Sequence, residues 1–207
     1  MKIVLLHGMG QTAASWEETI SDLPIDWQIH IPDLFANQKL VTYEQLYEAL
    51  VHECENINEP FHLCGISLGA ILACQYAIEH PKKVQSLILI AVQLQPPKYV
   101  LKFQQLIFNL LPITYFKKHG IEKAQLVNIN RSVQNVDIKE SVQRIKCPTI
   151  AICGKRDHFN KYATKQFVHL VPHAELVLIE QAGHEVNREN PIELAAVIEE
   201  FIGKQSI

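Results

Sequence analysis

The chain of 207 residues is short of several things, and each scarcity excludes something. It has five cysteines, Cys54, Cys64, Cys74, Cys147 and Cys153, an odd number without a C-x-x-C pair. That excludes a disulfide framework and the paired spacing of a cysteine-rich zinc site. Three of the five lie in apolar segments, as buried free thiols do, so a reducing compartment, the cytoplasm, is expected. Charged residues make up only 20% and the formal net charge is −3. With no basic stripe and no run of like charges, nucleic acid is not an expected partner. No apolar run is long enough to span a membrane. The first, Lys2 to Leu6, stops at His7-Gly8 and is too short for a signal's apolar core. His169 and His173 are four apart, but Pro172 lies between them and no H-E-x-x-H pattern occurs. No metal and no cofactor are expected.

The chain does have a globular composition, 48% hydrophobic, in a length that fits one domain, 1–207, with a core of its own. Apolar runs suited to buried strands alternate with helical patterns. Strands are expected at Lys2 to Leu6, Gln28 to Ile31, Phe61 to Cys64, Val84 to Val92, Thr149 to Cys153 and Glu175 to Ile179. Helices are expected at Ser15 to Leu23, Thr42 to Glu55, Leu68 to His80, Thr164 to Leu170 and Pro191 to Phe201. Thr42 and Asn190 are candidate N-caps, and Pro191 stands at a first helical position. This alternation predicts an α/β fold, a parallel sheet covered on both faces, with ligands bound at the carboxyl edge of the strands. Residues 93–143 interrupt the rhythm. Pro96-Pro97 opens the segment, and Leu101, Leu106, Ile107, Leu110 and Leu111 recur at helical spacing beside Phe103 and Phe108. An insertion of this kind over an active edge is expected to form a short helical lid.

Gly65-Ile66-Ser67-Leu68-Gly69 is a G-x-S-x-G pentapeptide between a strand and a helix. A serine on so sharp a turn is pushed out of the sheet, and a helix N-terminus stands behind it. The Leu68 N–H is then a candidate oxyanion donor. A serine hydroxyl needs a base, and the base needs an orienting acid. Asp157 follows the Thr149 to Cys153 strand, in Gly154-Lys155-Arg156-Asp157. His184 follows the last strand, in Gly183-His184. Alone, each is an ordinary loop residue. Together they place Ser, Asp and His in that order, each after a strand of one sheet, which is the order of the nucleophile-elbow hydrolases. His7-Gly8-Met9-Gly10 follows the first strand, expected beside the serine strand, and offers the Met9 N–H as second oxyanion donor. His7 is expected to shape that loop. Of the eight glycines, 8, 10, 65, 69, 120, 154, 183 and 203, six fall in these four motifs.

With these motifs the chain resembles the α/β-hydrolase superfamily from Lys2 to about Ile202, Ser15-Trp16 and Gly183 to Pro191 included. The resemblance implies Ser67 as nucleophile, His184 as general base and acid, Asp157 as orienter, and Met9 and Leu68 as oxyanion donors. It also implies a mostly parallel sheet of about six strands, since members usually carry two further strands ahead of the oxyanion loop. Ala70 stands where many members have a second glycine. The activity implied is that of a serine carboxylesterase on small or medium acyl esters. An alternative within the fold is a C–C bond hydrolase or lyase on a carboxylated substrate, for which Arg131 and Arg156 are the candidate anchors. An alternative of another class is a non-catalytic small-molecule binding module. The sequence leaves oligomeric state open, a homo-oligomer included.

Overall fold

The computed structural model describes residues 1–35, 41–96, 98–118 and 122–205. Pro97 and Gly120, and the Phe103 side chain, lie outside what is described. Six strands form one sheet: β1 Lys2–Leu6, β2 Gln28–His30, β3 Phe61–Ile66, β4 Val84–Ile90, β5 Thr149–Gly154 and β6 Ala174–Ile179. Their order is β2-β1-β3-β4-β5-β6. Every neighbouring pair is parallel, so the described sheet is wholly rather than mostly parallel.

Helices cover both faces because the strands alternate apolar side chains between them. From β1, Val4 and Leu6 enter one core with Leu46, Leu50, Leu72 and Phe167, while Ile3 and Leu5 enter the other with Trp16, Leu194, Ile198 and Phe201. β4 divides its leucines and isoleucines in the same way. The first core is covered by α2 Tyr43–Glu55, α3 Leu68–Glu79 and α7 His158–Leu170; the second by α1 Glu17–Ser21 and α9 Pro191–Lys204. Thr42 caps α2 in a capping box with Gln45, and Asn190 caps α9 with Pro191 in its first turn.

Three expected elements differ. The helix expected over Ser15 to Leu23 is a 3-10 turn, Ala13–Trp16, running into the short α1. The Ser15 hydroxyl bonds the Thr12 carbonyl at 2.7 Å in that turn, and Pro24 disfavours helix at the residue before it. α7 begins at His158, six residues ahead of the expected start. Its first turns show Phe159 and Tyr162 to solvent, so apolar periodicity does not betray them. β4 ends at Ile90 because Ala91 takes a positive φ of 51°.

Between β4 and β5 the chain forms α4 Lys98–Leu110, α5 Ile113–Lys118 and α6 Lys123–Ser132. The leucines of α4 do not all become core. Leu101 is buried, but Leu106 is 54% and Leu110 76% exposed. α6 is tied to α4 by Asn130 Nδ2, which donates to the Leu101 carbonyl at 2.8 Å. A small cluster of Phe116 and Leu126 packs on Met9, Phe108 and Leu111, which brings the segment against the loop after β1. The sheet's outer edge is β2, three residues long, beside which His30 pairs with Glu53 at 3.2 Å. A strand of three residues is a poor template for further strands.

Candidate active site

The turn from β3 into α3 is very tight. Ser67 has φ 54° and ψ −111°, a left-handed backbone that a non-glycine residue adopts only at some cost. It is held there: its N–H donates to the Ile90 carbonyl at 2.9 Å, and its own carbonyl accepts from Ala70 and Ile71. A Cβ on Gly65 would overlap the Gly69 carbonyl, and one on Gly69 would overlap the backbone carbonyls of Leu6 and His7. Both glycines of the pentapeptide are therefore required by close backbone approach.

The three predicted side chains meet. His184 Nε2 lies 3.1 Å from Ser67 Oγ, and His184 Nδ1 lies 2.9 Å from Asp157 Oδ2. Asp157 is also the N-cap of α7, accepting the Asn160 N–H at 3.0 Å through Oδ1. Its side chain is buried, whereas that of His184 is half exposed. Burial pushes the Asp157 carboxyl up, but hydrogen bonds from His184 and from Asn160 outweigh it and hold it below the usual carboxylate value. Asp157 therefore stays ionised beside the imidazole.

Backbone hydrogen bonds bring the loops together. The Lys155 N–H donates to Ile179 O at 2.8 Å and the Arg156 N–H to Ala182 O at 2.9 Å, which binds the acid loop to the histidine loop. β1 lies beside β3 with Leu6 opposite Gly65, so the loop carrying Met9 runs alongside the elbow. A methyl placed on Gly8 would stand 3.5 Å from Ser67 Cβ. Among the described residues neither the Met9 nor the Leu68 N–H donates a hydrogen bond. His7 is buried; its Nε2 accepts the Leu34 N–H at 3.1 Å and its Nδ1 lies 3.0 Å from Gly8 O, which shapes the loop as expected. Cys64 is buried in the second core, its thiol pushed well above the usual range by burial alone. Arg131 and Arg156 are exposed and form no ion pair among the described residues. His173 Nε2 lies 3.2 Å from the Cys147 carbonyl, at the turn after α7.

Several supporting residues escaped the sequence reading. Glu189, in α8 Val186–Glu189, accepts the Gly183 N–H at 2.7 Å and the Glu185 N–H at 3.0 Å, so its carboxylate grips the loop on both sides of His184. Asn187 is fully buried; its Nδ2 donates to Ser15 O at 3.0 Å, and its Oδ1 accepts from Gln11 at 3.2 Å. Gln11 in turn accepts the Gly8 N–H at 3.0 Å. This network joins the loop after β1 to α8, which follows β6. Gln11 and Asn187 are 176 positions apart, and no local pattern pairs them. Asn160 lies against both Asp157 and His184.

Among curated proteins, the pimeloyl-[acyl-carrier protein] methyl ester esterase of Aeromonas hydrophila subsp. hydrophila is 26% identical over 243 aligned positions, covering 97% of this chain and 95% of that protein. A solved carboxylesterase structure from the thaumarchaeon Nitrososphaera gargenis superposes with a TM-score of 0.85 at 18% identity, covering 99% of this chain and 90% of that one. MenH from S. aureus superposes with a TM-score of 0.83 at 16% identity, covering 100% of this chain and 95% of that one. The sequence model of the alpha/beta hydrolase family matches residues 3–197. The chain therefore belongs to the alpha/beta hydrolase family.

Proposed function

We propose that this protein cleaves carboxylic esters through an acyl-enzyme on Ser67. The observation that carries the proposal is the continuous contact from Ser67 Oγ through His184 to Asp157. In the productive tautomer His184 Nδ1–H donates to Asp157 and Nε2 accepts the serine proton. Ser67 Oγ attacks the ester carbonyl as His184 takes that proton. The Met9 and Leu68 N–H groups, which donate no hydrogen bond among the described residues, receive the oxyanion, and the N-terminus of α3 adds its dipole. His184 next protonates the leaving alcohol, then takes a proton from the water that releases the acid. Asp157 keeps the tautomer and stabilises the imidazolium. The reaction is an ester hydrolysis, and the chain is an ester-cleaving hydrolase, as the named activity of its Aeromonas relative supports.

Residues 93–143 act as a lid that borders the acyl site, a role supported by the packing of Phe116 and Leu126 on Met9. The substrate is a small or medium acyl ester. The cytoplasm is the proposed compartment: all five cysteines are unpaired, four of them buried. No described helix is long and apolar enough to cross a membrane.

The test is labelling with a fluorophosphonate probe alongside hydrolysis of p-nitrophenyl esters of graded chain length. Wild-type protein is expected to label at Ser67 and to turn over short esters. Ser67→Ala should lose labelling and at least ~10³-fold in kcat with its fold intact. Hydrolysis that survives in Ser67→Ala would overturn the assignment.

A further inference from the structure

Asn160 touches both members of the acid–base pair. It stands in the first turn of α7, three residues after Asp157. Its Nδ2 lies 2.6 Å from Asp157 Oδ2 and 2.8 Å from His184 Nδ1. Its Oδ1 accepts a hydrogen bond from Gln93 Nε2 at 2.6 Å. Gln93 follows β4 at the head of the lid segment, so the amide is held from outside its own helix.

Of the two contacts of Nδ2, the one with Oδ2 bears on the charge of the ring. A hydrogen bond to Oδ2 withdraws negative charge from the same oxygen that faces His184, which weakens its hold on an imidazolium. The contact with Nδ1 does not discriminate, because Nδ1 carries a proton in the productive neutral tautomer and in the imidazolium alike. The imidazolium, which leans on the full charge of that oxygen, loses more from the Asn160 bond than the neutral ring does.

Resting on the proposed roles of Ser67, His184 and Asp157, we infer that Asn160 is a positioning residue that weakens the hold of Asp157 on the His184 imidazolium, and that Gln93 holds Asn160 in place. Other titratable groups surround the pair. Arg156, His158 and Lys161 lie on the acid's side, with Cys153 on β5. Glu185, Arg188 and Glu189 lie on the histidine's side, Arg188 paired with Glu185 at 3.2 Å. His7 stands in the loop behind the nucleophile, and Gln93, from the lid side, is neutral. All of these remain in place when residue 160 changes, so differences between variants at that position isolate its contribution.

The experiment is the pH dependence of kcat/KM for p-nitrophenyl butyrate, followed at the isosbestic wavelength of the product. It is paired with ¹⁵N NMR titration of the His184 imidazole, which needs no turnover. In Asn160→Ala the acid limb and the NMR midpoint should both rise by about half a pH unit. In Asn160→Asp, which adds a carboxylate beside the ring, they should rise by roughly one unit or more. Gln93→Ala should give a smaller rise in the same direction, and it remains informative should the Asn160 variants fail to fold. Variants that lose kcat while the limb and the midpoint stay where they are would reduce Asn160 to a packing residue and overturn the inference. Absence of Ser67 labelling in wild-type protein would instead overturn the functional reading, and the NMR midpoint would still test Asn160.

Discussion

The carboxyl edge of the sheet and the helical segment between β4 and β5 are built differently. At the edge, Ser67, Asp157 and His184 come from three separate turns. Backbone hydrogen bonds, glycines with no room for a Cβ and the buried Gln11–Asn187 network hold them together. The helical segment is held by side chains instead: Asn130 on the Leu101 carbonyl, Gln125 on the Phe35 carbonyl, Ser132 on the Tyr43 N–H, the small cluster around Phe116, and Leu101, Ile129 and Val133 in the first core. It also leaves Tyr99, Leu106, Leu110 and Ile113 facing solvent. The difference teaches where change is tolerated: the chemistry sits on backbone that has no alternative arrangement, and the segment above it has room to vary.

The sharpest way to test this contrast is Gly69→Ala. The new Cβ would meet two backbone carbonyls that cannot move without parting β1 from α3. The expected result is a loss of more than ~3 kcal/mol in stability, or no soluble protein, measured by urea unfolding. Near-wild-type stability would show that the elbow can relax and would erase the contrast.

A second test uses acid. His62 is buried between β3 and β4, with Nδ1 2.8 Å from Ser86 Oγ, and burial pushes it down to about 4 from an ordinary 6.5. Between those values the unfolded chain binds a proton that the folded chain refuses. Stability from this group is therefore complete above about pH 6.5 and falls by up to ~3 kcal/mol as pH drops to 4. His62→Gln should flatten that slope, with urea midpoints at pH 7 and pH 4.5 as the measurement.

Glu189→Ala removes the carboxylate that grips both backbone N–H groups flanking His184. We expect kcat to fall about 10- to 100-fold with KM little changed, and Glu189→Gln to recover part of the loss because it keeps one good acceptor. The smallest effect belongs to the outer face of α4. Leu106→Gln combined with Leu110→Gln should shift stability by less than ~0.5 kcal/mol, since both side chains already face water. A loss of several kcal/mol there would mean that this face is covered, and would break the comparison from the other side.

Much of the edge was legible before any coordinates. G-x-S-x-G, Gly-Lys-Arg-Asp and Gly-His are local signals, because a sharp turn after a buried strand demands its own residue types. Their order along the chain already implied a shared edge. The start of α7 was not legible, since its first turns are polar or solvent-facing and Asp157 looks like a loop residue until it is seen capping them. Nor was the outward face of α4 legible. Periodicity reports that leucines share a helix face, and it cannot say whether that face meets a core.

By itself, then, the sequence determined the alternation of strands and helices and pointed to the three side chains that meet at the sheet edge, because period, turn chemistry and residue type are properties of short segments. Only the tertiary structure decided that Asn160, Gln93, Glu189, Gln11 and Asn187 support them. The pairs Gln11–Asn187, Gln93–Asn160 and Asn160–His184 join distant positions, the shorter ones made by Glu189 and Asn160 depend on how a loop or helix end is folded, and nothing in a local stretch of chain encodes a partner that arrives only when the sheet closes.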